Sequence, residues 1–411
     1  MKPNLCPRRL AGRTSAWLPG LLTALTVAIS VSAAPSPVPA LKDVYKNDFY
    51  IGAALNESQF YETDQTEAAL VKTHFSSISP ENDLKWEQIH PTPGHFDFED
   101  ADRYVAFGES NKMFIIGHTL VWHSQTPSWV FEGEHGQPLT REALLARLHE
   151  HISTVVGRYR GRIKSWDVVN EVVDEDGSLR KTPWLRIIGE DYLVKAFQFA
   201  HEADPQAELY YNDYALENPG KRAGAIAMIK KLRAAGVQLS GVGLQGHYKL
   251  QIPTSQEVDD TIVDFANLGL KVSFSELDVD LLPGQRNSLN ADVGTRMEAE
   301  KRLNPYPKEL PLAEQQKLAA RYAELFSVFL KHRSEIKRVT LWGVTDGDSW
   351  LNDWPVVGRT SYPLLFDRAG KPKLAFMSVV AVGQKNPASA ANHSPEASAT
   401  ASLQDTSASI R

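Results

Sequence analysis

The chain has 411 residues, is 42% hydrophobic and carries 44 Lys and Arg against 50 Asp and Glu, for a formal net charge of -6. That length can bury a large core and accommodates either two ordinary domains or one α/β barrel of about 250 residues or more with insertions. The acidic balance argues against nucleic acid as a partner, which calls for a basic face, and fits a neutral or weakly charged substrate.

The N-terminus places Lys2, Arg8, Arg9 and Arg13 before an apolar run over 18–31 and the small residues Ser32, Ala33 and Ala34. This order of basic region, hydrophobic region and small-residue cleavage site is that of a secretory signal. The run is too short for a membrane anchor and is broken by Pro19 and Gly20. Residues 1–34 are therefore expected to be a signal peptide, followed by a short spacer over 35–47, and the protein to be exported, secreted or periplasmic, with no membrane association after cleavage. The one cysteine, Cys6, lies inside this segment. The mature chain then has no thiol, which excludes disulfides, cysteine nucleophiles and zinc-thiolate sites.

Across 48–383 short β-rich runs alternate with amphipathic stretches. Strands are predicted over 50–55, 75–79, 113–117, 163–169, 208–211, 241–244, 271–275 and 339–343, and helices over 141–159, 192–203, 223–235 and 313–332. Such alternation implies parallel strands joined by right-handed crossovers, and eight units suggest closure into a barrel rather than an open doubly wound sheet. A long polar connection over 282–310 is expected to shape one side of the cleft. Beyond 384 the chain is rich in Ala and Ser and nearly free of large apolar residues, which predicts a disordered tail over 384–411.

In such a barrel the chemistry sits where strands end at the C-terminal face, and polar residues collect there in strand after strand. Glu81, Asn82, Lys85 and Trp86 follow the second strand, His118, Trp122, His123 and Gln125 the third, and Asn170 and Glu171 the fourth. Asn212 and Asp213 follow the fifth, Gln245 and His247 the sixth, Glu276 and Asp278 the seventh, and Trp342, Asp346, Trp350 and Trp354 the eighth. Two carboxylates, Glu171 and Glu276, end apolar strands that would face each other across the mouth, as needed to protonate a leaving group from one side and attack from the other. The surrounding cast is aromatic and neutral-polar, matching the flat apolar faces and hydroxyls of a sugar. Trp166 and Trp184 read as core, whereas Trp342, Trp350 and Trp354 read as exposed loop residues.

Other signals carry less. The run Gly241-Val242-Gly243-Leu244-Gln245-Gly246 matches a dinucleotide fingerprint, but no helix signal follows until about Ser255, so no cofactor is expected. His118 with His123, and His149 with His151, lack any metal-site spacing and are expected to bind no metal. No Gly-x-Ser-x-Gly elbow is present.

Together, Glu81-Asn82-Asp83-Leu84-Lys85-Trp86, Gly117 to His123, Trp166 to Glu171, Gln245-Gly246-His247, Ser275-Glu276-Leu277-Asp278 and Leu341-Trp342-Gly343 resemble the family-ten glycoside hydrolases, typically endo-β-1,4-xylanases, over about residues 41–383. The resemblance implies a single TIM-barrel catalytic domain, a retaining mechanism and xylan or a xylo-oligosaccharide as partner, acting as a monomer. It also implies Glu171 as acid/base and Glu276 as nucleophile, with Asn170 on the sugar 2-hydroxyl, His247 on the nucleophile and Asp278 on that histidine. Glu81, Asn82, Lys85, His118, Trp122, Gln125 and Gln245 would line the glycone subsites, and Trp342 and Trp350 would form the aromatic floor and lid. A related barrel acting on β-glucan or mannan is the first alternative. A catalytically dead binding barrel is the second, disfavoured because both acids are present.

Overall fold

Eight short runs rich in β-branched and aromatic residues form eight parallel strands: β1 (Tyr50–Leu55), β2 (Ser77–Pro80), β3 (Phe114–Val121), β4 (Ser165–Asn170), β5 (Glu208–Asp213), β6 (Gly241–Leu244), β7 (Lys271–Asp280) and β8 (Ile336–Leu341). This computed structural model describes residues 38–284, 297–298 and 302–385. Each strand pairs with the next along the chain, β8 pairs with both β7 and β1, and the sheet closes on itself. The molecule is a TIM barrel. Its strands are buried on both faces, because side chains fill the inside and helices cover the outside.

The helices are α1 (Leu41–Val44), α2 (Glu57–Phe60), α3 (Gln65–His74), α4 (Trp86–Ile89), α5 (Glu99–Ser110), α6 (Arg141–Arg158), α7 (Pro183–Ile188), α8 (Tyr192–Ala203), α9 (Pro219–Ala234), α10 (Ser255–Ala266), α11 (Leu312–Lys331) and α12 (Leu374–Gln384). Their starts are written in local chemistry. The side chains of Thr140, Thr182 and Thr254 each accept a hydrogen bond from a first-turn amide, and Thr254 completes a capping box with Glu257. Helix α9 begins four residues before its predicted start, since Asn218 caps it and Pro219 takes the first turn, where no amide hydrogen is needed.

Three further departures matter. The expected spacer over 35–47 includes structured barrel: Leu41 and Tyr45 are buried, and the Tyr45 hydroxyl donates to the Val379 carbonyl at 2.7 Å on α12. Strand β7 runs to Asp280 instead of stopping at 275, because a short strand, His247–Lys249, pairs alongside its far end. Trp342 is buried, with 7% of its surface exposed, where loop exposure was expected. The His118 and His247 rings pack against it nearly perpendicular, at centroid separations of 5.6 and 6.4 Å. Trp166 and Trp184 are core residues as read from the sequence. The expected signal over 1–34, most of the 282–310 connection and the expected tail after 385 lie outside the described residues.

The barrel interior holds one charged column. Arg338, only 1% exposed, reaches Asp167 Oδ1 and Ser165 Oγ at 3.2 Å, and Asp167 Oδ2 meets His118 Nδ1 at 3.1 Å. A buried ion is tolerable only when its partners satisfy it, and here the column ends at the mouth.

Elsewhere burial keeps three imidazoles neutral. It pushes His74 and His90 down to about 4 and His151 well below its ordinary value, and His90 Nδ1 lies 3.3 Å from His151 Nδ1. An unfolded histidine takes up its proton near 6.5, so between about 6.5 and 4 the unfolded chain binds more protons and stability falls as pH falls. Calorimetry between pH 7 and pH 5 should show these groups as a loss on the order of 1–2 kcal/mol each. The His74→Leu protein should lose stability less steeply than the wild type over that range; equal slopes would remove His74 from the account.

Candidate active site

Strand β4 delivers Asn170 and then bends. Glu171 adopts the left-handed region at φ 56, a conformation that a residue with a Cβ enters only when its surroundings impose it. The Glu171 amide donates to the Asn212 carbonyl at 2.9 Å, and Arg180 Nε donates to the Glu171 carbonyl at 2.9 Å. The bend turns the carboxyl into the barrel mouth. There Trp122 Nε1 donates to Oε2 at 2.8 Å and Gln245 Nε2 to Oε1 at 3.0 Å. Burial raises the Glu171 carboxyl to about 7, helped by the charges of Asp213 and Glu276 and opposed by those two donors.

Glu276 lies on β7 in the opposite electrostatic setting. Burial again opposes its charge, but the bond from His247, the charges of His118 and His247, and the bond from Asn212 outweigh burial and hold it below the ordinary glutamate value. His247 Nε2 lies 3.2 Å from Glu276 Oε2, and its Nδ1 lies 3.1 Å from Asp278 Oδ2. Burial disfavours the imidazolium, yet the two carboxylates push His247 up to about 10, so it is charged at neutral pH and donates from both nitrogens. Trp350 Nε1 donates to Asp278 Oδ2 at 2.7 Å, which ties the tryptophan to the same assembly.

Amides connect the two acids. Asn212 Nδ2 donates to Glu276 Oε1 at 2.8 Å and lies 3.0 Å from Asn170 Oδ1, while Gln245 Nε2 lies 3.4 Å from that same oxygen. The register Asn170↔Asn212↔Gly243 sets these side chains level across β4, β5 and β6. A Cβ at Gly243 would collide with the Asn212 amide, and at Gly246 the backbone turns at φ +83 to present His247. The run that mimics a dinucleotide fingerprint thus makes room for Asn212 and turns the chain.

A polar wall stands beside this centre. Lys85 Nζ donates to Asn82 Oδ1 at 2.9 Å and Gln125 Oε1 at 2.8 Å, and Gln125 Nε2 reaches Glu87 Oε1 at 3.0 Å. Glu81 is half-buried there, with its carboxyl raised mainly by burial. Beyond His247 a cavity of about 310 Å³ opens between Tyr214, Tyr248, Trp350 and Trp354. The two tryptophans stack at 4.6 Å and 13°.

The fourteen residues expected at the site come from the C-terminal halves of the strands or the segments that follow them, but three differ in what they touch. Trp122 and Gln245, expected on the sugar wall, spend their N–H groups on Glu171, and the Trp122 ring lies 5.1 Å from Lys85 Nζ. His118, expected there too, points Nδ1 into the barrel column. Asn212, assigned no role from sequence, contacts Glu276 directly; its place at the end of β5, level with Asn170, was the available signal. Among the described residues one acidic group has metal-like spacing, Glu57, Asp83 and Asp100, and it shares no residue with this centre.

A buried carboxyl raised toward neutrality opposite a buried carboxylate held ionised, at the C-terminal mouth of a TIM barrel, is the apparatus of an acid-assisted displacement at a sugar. Residues 40–382 match the family model for glycosyl hydrolase family 10. Endo-1,4-beta-xylanase A of Xylanibacter ruminicola is 42% identical over 352 residues, spanning 86% of this chain and 95% of its own. A beta-1,4-xylanase of Dictyoglomus thermophilum is 44% identical, spanning 84% and 91%. A solved GH10 endoxylanase from a sugarcane soil metagenome superposes with a TM-score of 0.81 at 46% identity, covering 84% of this chain and all of that one. The chain is a glycoside hydrolase. It belongs to glycosyl hydrolase family 10.

Carbon-13 NMR of the glutamate carboxyls should find Glu171 titrating near pH 7 and Glu276 below the ordinary glutamate value. His247→Gln should raise the Glu276 midpoint, because burial is then opposed by fewer partners. A midpoint left in place would show that the imidazolium does not hold Glu276 ionised.

Proposed function

We propose that the protein hydrolyses internal β-1,4 bonds of xylan with retention of anomeric configuration, through a covalent glycosyl-enzyme. The observation that carries this reading is the unlike setting of two buried glutamates at one barrel mouth, one raised to about 7 and the other held low. Relatives named as endo-1,4-β-xylanases, and a solved relative described as a mutant in complex with xylotriose, support xylan as the substrate. The signal-like N-terminus supports export to the periplasm or beyond the cell.

In the first step Glu276 attacks the anomeric carbon while Glu171 gives its proton to the departing glycosidic oxygen; the sugar–oxygen bond breaks and an ester forms. Asn170 holds the 2-hydroxyl of that sugar, a contact that strengthens as positive charge develops on the ring. Esterification removes the negative charge of Glu276, one of the influences that raise Glu171. Glu171, now an anion of lower proton affinity, takes a proton from water as the water attacks the same carbon. Glu276 is released, and two inversions leave the configuration unchanged. His247 stays charged throughout and receives the nucleophile back as a carboxylate.

Glu276→Ala should lower kcat by about 10⁴-fold or more with an unchanged circular dichroism spectrum. Proton NMR of the first wild-type product should show the β-anomer; prompt appearance of the α-anomer would reject double displacement. Substrate choice rests on the space beside C5 of the bound sugar, where Trp350 and Gln125 would exclude a hydroxymethyl group. Assayed in parallel, xylan should be cleaved faster than carboxymethyl-cellulose, and the reverse order would favour the β-glucan alternative.

A further inference from the structure

Behind Glu171 lies an ion pair that the steps above do not use. Asp213, the last residue of β5, and Lys221, in the first turn of α9, are both fully buried, and Lys221 Nζ lies 2.9 Å from Asp213 Oδ1. The lysine has its ammonium 3.3 Å from the centroid of the Tyr214 ring and 3.7 Å from Glu175 Oε1. Burying such a pair is costly, and apolar residues of similar volume commonly serve a purely structural purpose as well or better.

The partners of Asp213 explain its place. Oδ1 also accepts from the Tyr214 amide at 2.9 Å, and Oδ2 accepts from the Tyr211 hydroxyl and from the Val173 amide at 3.3 Å. Val173 is two residues beyond Glu171, so this bond fixes the far side of the left-handed bend. The Asp213 carbonyl accepts from the Gln245 amide at 3.0 Å, and Gln245 in turn donates to Glu171. Every one of these side-chain partners is a donor. Lys221 and the two backbone amides favour the anion, the Tyr211 hydroxyl can serve either protonation state, and burial works against the charge and leaves the carboxyl above its ordinary value.

We propose that Asp213, paired with Lys221, is a positioning residue for Glu171: it pins the bend through Val173 and places its carboxylate charge behind the acid/base carboxyl. The inference rests on the reading of Glu171 as acid/base. Other charged or titratable groups around Glu171 are Glu276 from β7, Lys85 ahead of α4, Tyr214 after β5 and Arg180 ahead of α7. Those around Asp213, besides Lys221 and Glu175, are Tyr192, Tyr211 and Arg180. After burial, the charge of Asp213 is the largest influence raising Glu171, ahead of Glu276.

The test is the pH profile of kcat/KM on a xylo-oligosaccharide, whose alkaline limb reports the free enzyme's acid. In Asp213→Asn the limb should move toward acid by about half to one pH unit, as expected when a nearby like charge is removed. The paired Asp213→Asn/Lys221→Met protein leaves no buried ion alone and should move the limb in the same direction, by less. Loss of activity at every pH with the limb in place, in either protein, would reduce Asp213 to a structural residue and overturn the proposal. So would wild-type profiles. A Glu171→Gln control separates the two claims: full activity there would reject the acid/base assignment, whereas an inactive control with an unmoved Asp213→Asn limb would reject the present inference alone.

Discussion

One charged imidazole holds this active site together. His247 sits between two carboxyl groups, Glu276 at 3.2 Å and Asp278 at 3.1 Å, and its bond is the largest influence that opposes burial and holds Glu276 ionised. That placement shapes the backbone around it. Strand β7 must continue past Glu276 to carry Asp278, a second short strand must run beside it to carry His247, and Gly246 must turn between β6 and that strand. Asp278 then has an oxygen to offer Trp350, which anchors that ring to the same charge.

The two glutamates are chemically identical, and their difference is made by what surrounds them. Both are buried, which alone would raise each. Glu276 faces cations and Glu171 faces anions, so the same burial leaves one ionised and the other protonated near neutrality. The amides of Asn170, Asn212 and Gln245 lie between them and complete the hydrogen bonding without adding charge. Neutral amides suit this place, since a further ion would shift both acids at once.

The barrel interior is continuous with the site. Arg338, Asp167 and His118 rise through the strands, and His118 packs nearly perpendicular to Trp342, which in turn packs against His247. Trp342 is therefore clamped between a histidine of the core and a histidine of the mouth. Its burial follows from that clamp, and a Gly-rich neighbourhood in the sequence gave no indication of it.

Much of this architecture could be read from residues in order. Alternation of β-rich and amphipathic runs depends on nearest neighbours, and so do the caps at Thr140, Thr182 and Thr254; polar residues ending apolar strands mark the face where chemistry collects. Asn170, Glu171, Glu276, His247 and Asp278 were visible on those grounds, helped by their resemblance to a known family. Contacts between strands were not visible, because they depend on closure of the barrel. Closure brings Asn212 to Glu276 across 64 positions of chain and Trp122 to Glu171 across 49. It also lengthened β7, hid Trp342 and gave Asp213 a buried cation. A side chain's type and spacing limit what it can do, but its proton affinity and its partner are set by the charges and donors that folding places within a few ångströms, and those come from distant parts of the chain.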